Sequence, residues 1–431
     1  MFKLKENNTT VRTEITAGFT TFLTMAYIIV INPAILSAAN IPFEQVFTAT
    51  IIASVIATLW MALCANYPIA LAPGMGLNAY FAYSVVGAGI DYRIALSSVF
   101  VAGLLFFILS LTSFREKLID IIPTNLKHAI SAAIGLFIAF TGLKLSGIIT
   151  SDSSNLVGLG DLKDPKIILA FAGLFITIIL LALNLKGALF FGMVITGVIA
   201  YFMGLLSFNS NIVSIPSLPE GLIISNPIDA FQQVMEHSLY AVVFSFLLVT
   251  LFDTTGTVIG VTQQAGLMKD GKLPRARKTL LADSIGTTIG AMFGTSPTTA
   301  FIESSSGVGA GGKTGLTSLT VAILFVFSAF FSPLVATISN LSAITAPALV
   351  IVGCFMMSHV SHINFNDFDE AFPAFLTILM MPLTSSIATG IALGFISYPI
   401  LKICRGKVKE VHPLLYVFGI LFFIQLVFLQ H

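Results

Sequence analysis

Long apolar runs, each interrupted by a few polar residues, recur from one end of the chain to the other. About 20 predominantly apolar residues are enough for a helix to cross a bilayer. On that measure the pattern predicts helical segments near 15–38, 45–66, 68–87, 94–113, 124–142, 166–184, 187–206, 238–258, 278–295, 298–310, 314–334, 342–358, 371–402 and 412–430. Two of them do not suit a plain spanning helix. Segment 68–87 carries Pro68, Pro73, Gly74 and Gly76 before Asn78, and segment 298–310 is short and rich in Gly, Ser and Thr. Irregular backbone at membrane depth is tolerated only where protein buries it or where it lines a wet cavity. Segment 371–402 can be read in two ways. It is either one long helix or a pair broken at Met381–Ser386. Only the broken form brings Lys402, Arg405, Lys407 and Lys409 to the same side as the 362–370 loop.

The two irregular segments match each other. In one, Pro73 is followed by small residues and then Asn78. In the other, Pro297 is followed by Thr298-Thr299-Ala300 and then Glu303. Interrupted segments at corresponding positions of two halves point to a transport site between inverted repeats.

Composition closes off most other classes. Of 431 residues, 56% are hydrophobic and 10% charged, against about 25% charged in soluble domains. The reading is a single polytopic α-helical membrane domain over 1–431, with no separate soluble domain and no signal peptide. A net charge of +1 gives no reason to expect nucleic acid. Cys64, Cys354 and Cys404 are too few and too scattered for a disulfide framework or a metal site, so no cofactor or metal is expected. Lys3, Lys5 and Arg12, then Arg115, Lys117 and Lys127, then Lys269, Lys272, Arg275, Arg277 and Lys278 mark cytoplasmic loops by the positive-inside rule. The N-terminus is therefore expected on the cytoplasmic side of the cell membrane.

Candidate chemistry is sparse. Asp253 ends the apolar run Ala241–Asp253, and Glu303 sits in the second irregular segment. A charge at bilayer centre costs about 2.5–3.5 kcal/mol on insertion scales, so it persists where it has a partner or a task. Either carboxylate can accept hydrogen bonds from a polar solute or carry a proton. Asn78 can both donate and accept. Asp283 lies nearer a basic loop, where a pairing with Arg277 or Lys278 competes with a part in gating. His128, His359, His362, His412 and His431 fall in or near loops, and His237 opens the span that leads to Asp253.

Two motifs mislead. Gly307–Thr314 fits the phosphate-loop pattern GxxxxGK[ST], but it leads into a membrane span rather than a helix of a soluble α/β sheet. The better reading is small residues that let helices approach closely. Gly158-Leu159-Gly160-Asp161 with Pro347-Ala348-Leu349 imitates an intramembrane aspartyl protease, yet Asp161 stands in a polar loop.

Four blocks are more specific: Gly18–Leu36, Ala72–Val86, Leu251–Leu267 and Gly294–Gly311. Together they resemble the AzgA-like guanine/hypoxanthine permeases of the nucleobase–cation symporter 2 superfamily, and the resemblance runs over essentially the whole chain. It implies a uracil-permease-like fold of about fourteen helical segments in two inverted repeats, with segments three and ten interrupted by short extended stretches. It also implies a core of about 15–113 and 238–334, and a gate of about 124–206 and 342–430. The family's binding carboxylates fall on Asp253 and Glu303, and its segment-three polar residue on Asn78. Where uracil-permease-like proteins carry an ionisable residue one turn after the segment-eight carboxylate, this chain has Thr257.

The expected activity is import of hypoxanthine and guanine, ahead of adenine, by proton symport rather than by an enzyme reaction. Asn78, Asp253, Glu303 and Thr257 would meet the base, and Phe301 or Tyr80 would stack on it. Glu303, Asp253 or Asp283 would carry the proton. The rival readings are a sodium-coupled or uncoupled carrier and an anion exchanger, which would need a cation such as Lys313 in the site. The expected partners are a purine nucleobase, a proton as coupling ion and membrane lipid. A homodimer is the oligomer to test.

Overall fold

The computed structural model describes residues 2–112, 121–152, 156–207, 212–216, 221–268 and 273–428. Arg115, Lys117, Lys269, Lys272 and His431 lie outside the described residues. The first half runs α1 (Val11–Met25), α2 (Ile28–Ser37), α3 (Phe43–Trp60), β1 (Leu71–Pro73), α4 (Met75–Ala79), α5 (Tyr92–Leu111) and α6 (Thr124–Leu145). A hairpin of β2 (Ile149–Asp152) and β3 (Leu156–Leu159) follows, then α7 (Pro165–Ala182) and α8 (Ala188–Phe202). After α9 (Pro227–Glu236) the order recurs: α10 (Tyr240–Gln264), α11 (Ala276–Phe293), β4 (Thr298–Ala300), α12 (Ser304–Gly309), α13 (Gly315–Ser328) with α14 (Ser332–Ser339), α15 (Ser342–Met356), α16 (Phe368–Thr384) and α17 (Ile387–Cys404). A last apolar helix, α18, covers Pro413–Phe428.

Both irregular segments begin as strands, as their sequences require. Proline fixes φ, lacks an N–H and pushes the preceding residue away from the helical region, so Pro68, Pro73 and Pro297 oppose a helix there. β1 and β4 pair antiparallel, Leu71 opposite Ala300, Ala72 opposite Thr299 and Pro73 opposite Thr298. One further bond at each end extends the ladder, Gly74 N–H to Pro297 O (2.9 Å) and Phe301 N–H to Ala70 O (3.0 Å). Two strands leave two open edges, which hydrocarbon cannot solvate. Threonine hydroxyls close them. Thr58 of α3 bonds both the N–H and the carbonyl of Leu71 at 3.0 Å. Thr287 of α11 accepts from Thr298 N–H at 3.0 Å, and Thr254 of α10 accepts from Ala300 N–H at 3.4 Å.

Helices α3, α10 and α11 pack around this crossing, α5 packs against α10 and α11, and α13 packs against α1 and α3. A second group forms beside it: α6 against α15 and α16, α16 against α17, and α7 against α8 and α15.

Several sequence expectations are adjusted. The first span is two helices, parted at Ala26 and Tyr27. Segment 371–402 takes the broken form, with Ser385 in a left-handed conformation between α16 and α17. The thirteenth segment is thus the pair α16 and α17, and α18 occupies the fourteenth, 412–430. The break sets charges face to face. Lys402 Nζ meets Asp369 at 3.0 Å, Glu370 at 2.8 Å and Glu410 at 3.1 Å, while Arg405 and Lys407 also reach Asp369, each at 3.0 Å. Beside this cluster Asn125 of α6 donates to Glu370 (2.9 Å), and one turn on His128 stacks on His359 and His362 with ring centroids 5.7 and 5.1 Å apart.

Both misleading motifs resolve as packing or surface. A Cβ on Gly307 would lie 2.0 Å from Thr21 Oγ1, and one on Gly315 would lie 2.1 Å from the Ala62 carbonyl, so these glycines let α1 and the helical turn that follows α3 (Met61–Ala65) approach the chain closely. Asp161 is exposed in the turn before α7, where it accepts from Lys163 N–H at 3.0 Å.

Candidate functional site

The strand crossing brings the two halves' polar residues together. Asn78 lies on α4 just past β1, and its Oδ1 accepts a hydrogen bond from Ser296 Oγ, contributed by the opposite half. Asn78 is fully buried, and its Nδ2 has no hydrogen-bond partner among the described residues. Glu303 stands immediately before α12, just past β4. Its Oε1 accepts from the hydroxyl of Tyr27, and its main-chain carbonyl accepts from Thr24 Oγ1 at 3.4 Å. Asp253, in the middle of α10, faces the Thr299 side chain of β4. Asp253, Glu303 and Tyr27 are close enough to interact electrostatically. Both carboxylates keep partial exposure although Thr254, Thr298, Thr299 and Ser304 around them are buried. An acidic pair with unused acceptor capacity at one end of the ladder, and a buried amide with unused donors at the other, suit a flat solute carrying both N–H groups and ring acceptors.

The other sequence-derived residues take distinct places. Thr257 is one helical turn past Asp253 on the same face of α10 and is buried. Phe301 follows β4 with only 5% exposure. Tyr80 packs edge-on against Phe246 of α10, with centroids 5.1 Å apart. Asp283 is buried behind β4. Its Oδ1 accepts from Ser284 N–H (2.8 Å), and its carbonyl accepts from Thr298 Oγ1 (2.9 Å), which ties α11 to the strand. His237 is exposed at the end of α9, its ring against the Gln233 carbonyl.

Sequence reasoning missed two residues. Tyr27 is one of few polar groups in the apolar block Gly18–Leu36, and only its position at the helix break makes it a neighbour of Glu303. Glu14 ends a polar N-terminal stretch, and no pattern in the sequence singles it out. It is fully buried, accepting from Lys313 N–H (3.0 Å), Thr314 N–H (3.2 Å) and Thr317 Oγ1 (2.6 Å).

A family model described as "Permease family" matches residues 12–393. The chain belongs to this permease family. It is 65% identical over 429 residues to the guanine/hypoxanthine permease PbuO of Bacillus subtilis (strain 168), covering 99% of each chain. It is 47% identical over 447 residues to the guanine/hypoxanthine permease PbuG of the same organism, covering 100% of this chain and 99% of the relative. Among solved structures, the transmembrane domain of the cyanobacterial bicarbonate transporter BicA superposes with a TM-score of 0.67 at 14% identity, over 88% of this chain and 97% of that one. That likeness concerns the fold alone. The permease is thus a multi-pass membrane transporter, not an enzyme, and the family resemblance carried by the four sequence blocks holds over the full chain.

Proposed function

We propose that this permease imports purine nucleobases, hypoxanthine and guanine before adenine, together with a proton. The observation that carries the reading is the β1–β4 crossing, which sets Asn78 beside one end of the ladder and Asp253 and Glu303 beside the other. The names of the two Bacillus relatives support the substrate class. The carboxylates take the base's N–H groups, and Asn78 Nδ2 faces a ring acceptor. A carboxylate at membrane depth is also suited to carry the proton. The helices around the crossing act as the core, those of the second group as the gate, and the cycle is rigid-body motion of one against the other. The N-terminus and the Lys402–Asp369 end face the cytoplasm of a cell-membrane protein.

Radiolabelled hypoxanthine uptake into proteoliposomes tests this reading. Unlabelled guanine and hypoxanthine should compete strongly, and adenine more weakly. Uptake should rise with an inward proton gradient and collapse with a protonophore. Uptake that follows sodium and ignores pH would overturn the coupling, and competition by bicarbonate but not by bases would favour an anion exchanger.

A further inference from the structure

Tyr27 is fully buried in the break between α1 and α2, where its carbonyl starts α2 by accepting from Val30 N–H (3.1 Å) and Ile31 N–H (2.9 Å). Its hydroxyl donates to Oε1 of Glu303. The backbone of Glu303 is tied to the same stretch of chain through Thr24. The carboxylate is therefore held from the α1–α2 side, with Oε1 engaged by the phenol and Oε2 accepting from no other side chain among the described residues.

A carboxylate with both oxygens free can receive two parallel N–H groups, as it does from a guanidinium fork. Guanine presents such a pair, N1–H and the adjacent 2-amino group. Hypoxanthine presents N1–H with only C–H beside it. With Oε1 already accepting from the phenol, the second N–H of guanine has to share that oxygen with it, so the 2-amino group adds less than it would to a free oxygen.

Building on the nucleobase reading above, we propose that Tyr27 is a positioning residue that sets the choice between 2-amino and 2-unsubstituted purines, by occupying one of the two Glu303 oxygens. In its presence the site treats guanine and hypoxanthine alike. Without the phenol hydroxyl, Glu303 becomes a bidentate acceptor and guanine gains.

The test is competition of unlabelled guanine and hypoxanthine against radiolabelled hypoxanthine bound to the purified full-length permease, unmodified and as Tyr27→Phe. In the unmodified protein the two bases should compete within about threefold of each other. In Tyr27→Phe guanine should gain about tenfold or more relative to hypoxanthine, the value of an added hydrogen bond to a charged group. Adding Glu303→Gln to Tyr27→Phe should abolish that gain. Equal losses for both bases in Tyr27→Phe would reduce Tyr27 to a packing role and overturn the proposal. If the variant does not fold, the unmodified protein decides: a guanine preference of tenfold or more would mean that both oxygens are already available. If neither base binds the unmodified protein, the nucleobase reading itself falls. If both bind and only the ratio fails to move, the role of Tyr27 alone is lost.

Discussion

Glu303 and the residues that hold Glu14, Lys313 to Thr317, lie within one short stretch of chain, and the two carboxylates illustrate two uses of a carboxylate inside a membrane protein. Glu14 is fully buried and saturated: two backbone N–H groups and a threonine hydroxyl converge on it from the start of α13. It satisfies amides at the beginning of a helix that has no water to do so. Glu303 keeps partial exposure, and its hydrogen-bonded oxygen accepts from Tyr27. Saturation marks the structural charge, and spare acceptor capacity marks the one available to a ligand. The Lys402–Asp369 cluster belongs with Glu14: Asp369 is fully buried and met by three cationic side chains, so it fastens α16 to α17.

The comparison is tested most severely by removing the charge from the unsaturated site. Glu303→Gln and Asp253→Asn should each reach the membrane folded yet lose most uptake, with affinity for hypoxanthine down about tenfold or more through loss of a hydrogen bond to a charged group. Normal uptake by either well-expressed variant would move that residue to the structural side.

Glu14→Ala should do the reverse. Leaving the buried donors at Lys313, Thr314 and Thr317 without their acceptor should lower stability by about 1–3 kcal/mol, read as a fall in thermal midpoint in detergent. Base affinity in the surviving folded protein should stay within about twofold of the parent, since Glu14 shares no hydrogen-bond partner with the candidate binding residues. A large loss of affinity at unchanged stability would break the distinction.

Asn78→Ala removes a neutral group, so its effect should be smaller: about 0.5–1.5 kcal/mol in base affinity, the range for an uncharged hydrogen bond. Binding assays on the purified variant would measure it. The smallest effect is expected for Arg405→Ala at the saturated cluster. Arg405 is 45% exposed, and Lys402 and Lys407 also hold Asp369, so the cost should be no more than about 1 kcal/mol. A thermal shift well beyond that would show that the cluster depends on all three cations.

Most of the site was legible before the fold was known, because lipid makes charge and backbone irregularity conspicuous. Asp253 and Glu303 stood out as carboxylates in apolar surroundings. The prolines at 68, 73 and 297 announced two places where a helix could not continue. The breaks at Tyr27 and Ser385 were harder to read. At Tyr27 the apolar run continues without a proline until Pro33, so hydropathy carries no trace of the interruption. Glu14 was hidden for the opposite reason: it follows a polar stretch, and only the packing of α1 on α13 buries it.

The sequence by itself determined the class of molecule, the approximate spans, the two interruptions and the identity of the acidic pair. These follow from local composition, since the bilayer filters segments by hydrophobicity and length alone. The tertiary structure decided which residues meet. The pairing of β1 with β4 spans more than 200 residues of chain, and the contact of Tyr27 with Glu303 joins positions 276 apart. No local pattern encodes such a contact. It exists because strand edges and buried oxygens must find partners, and in this fold those partners come from the other half of the chain.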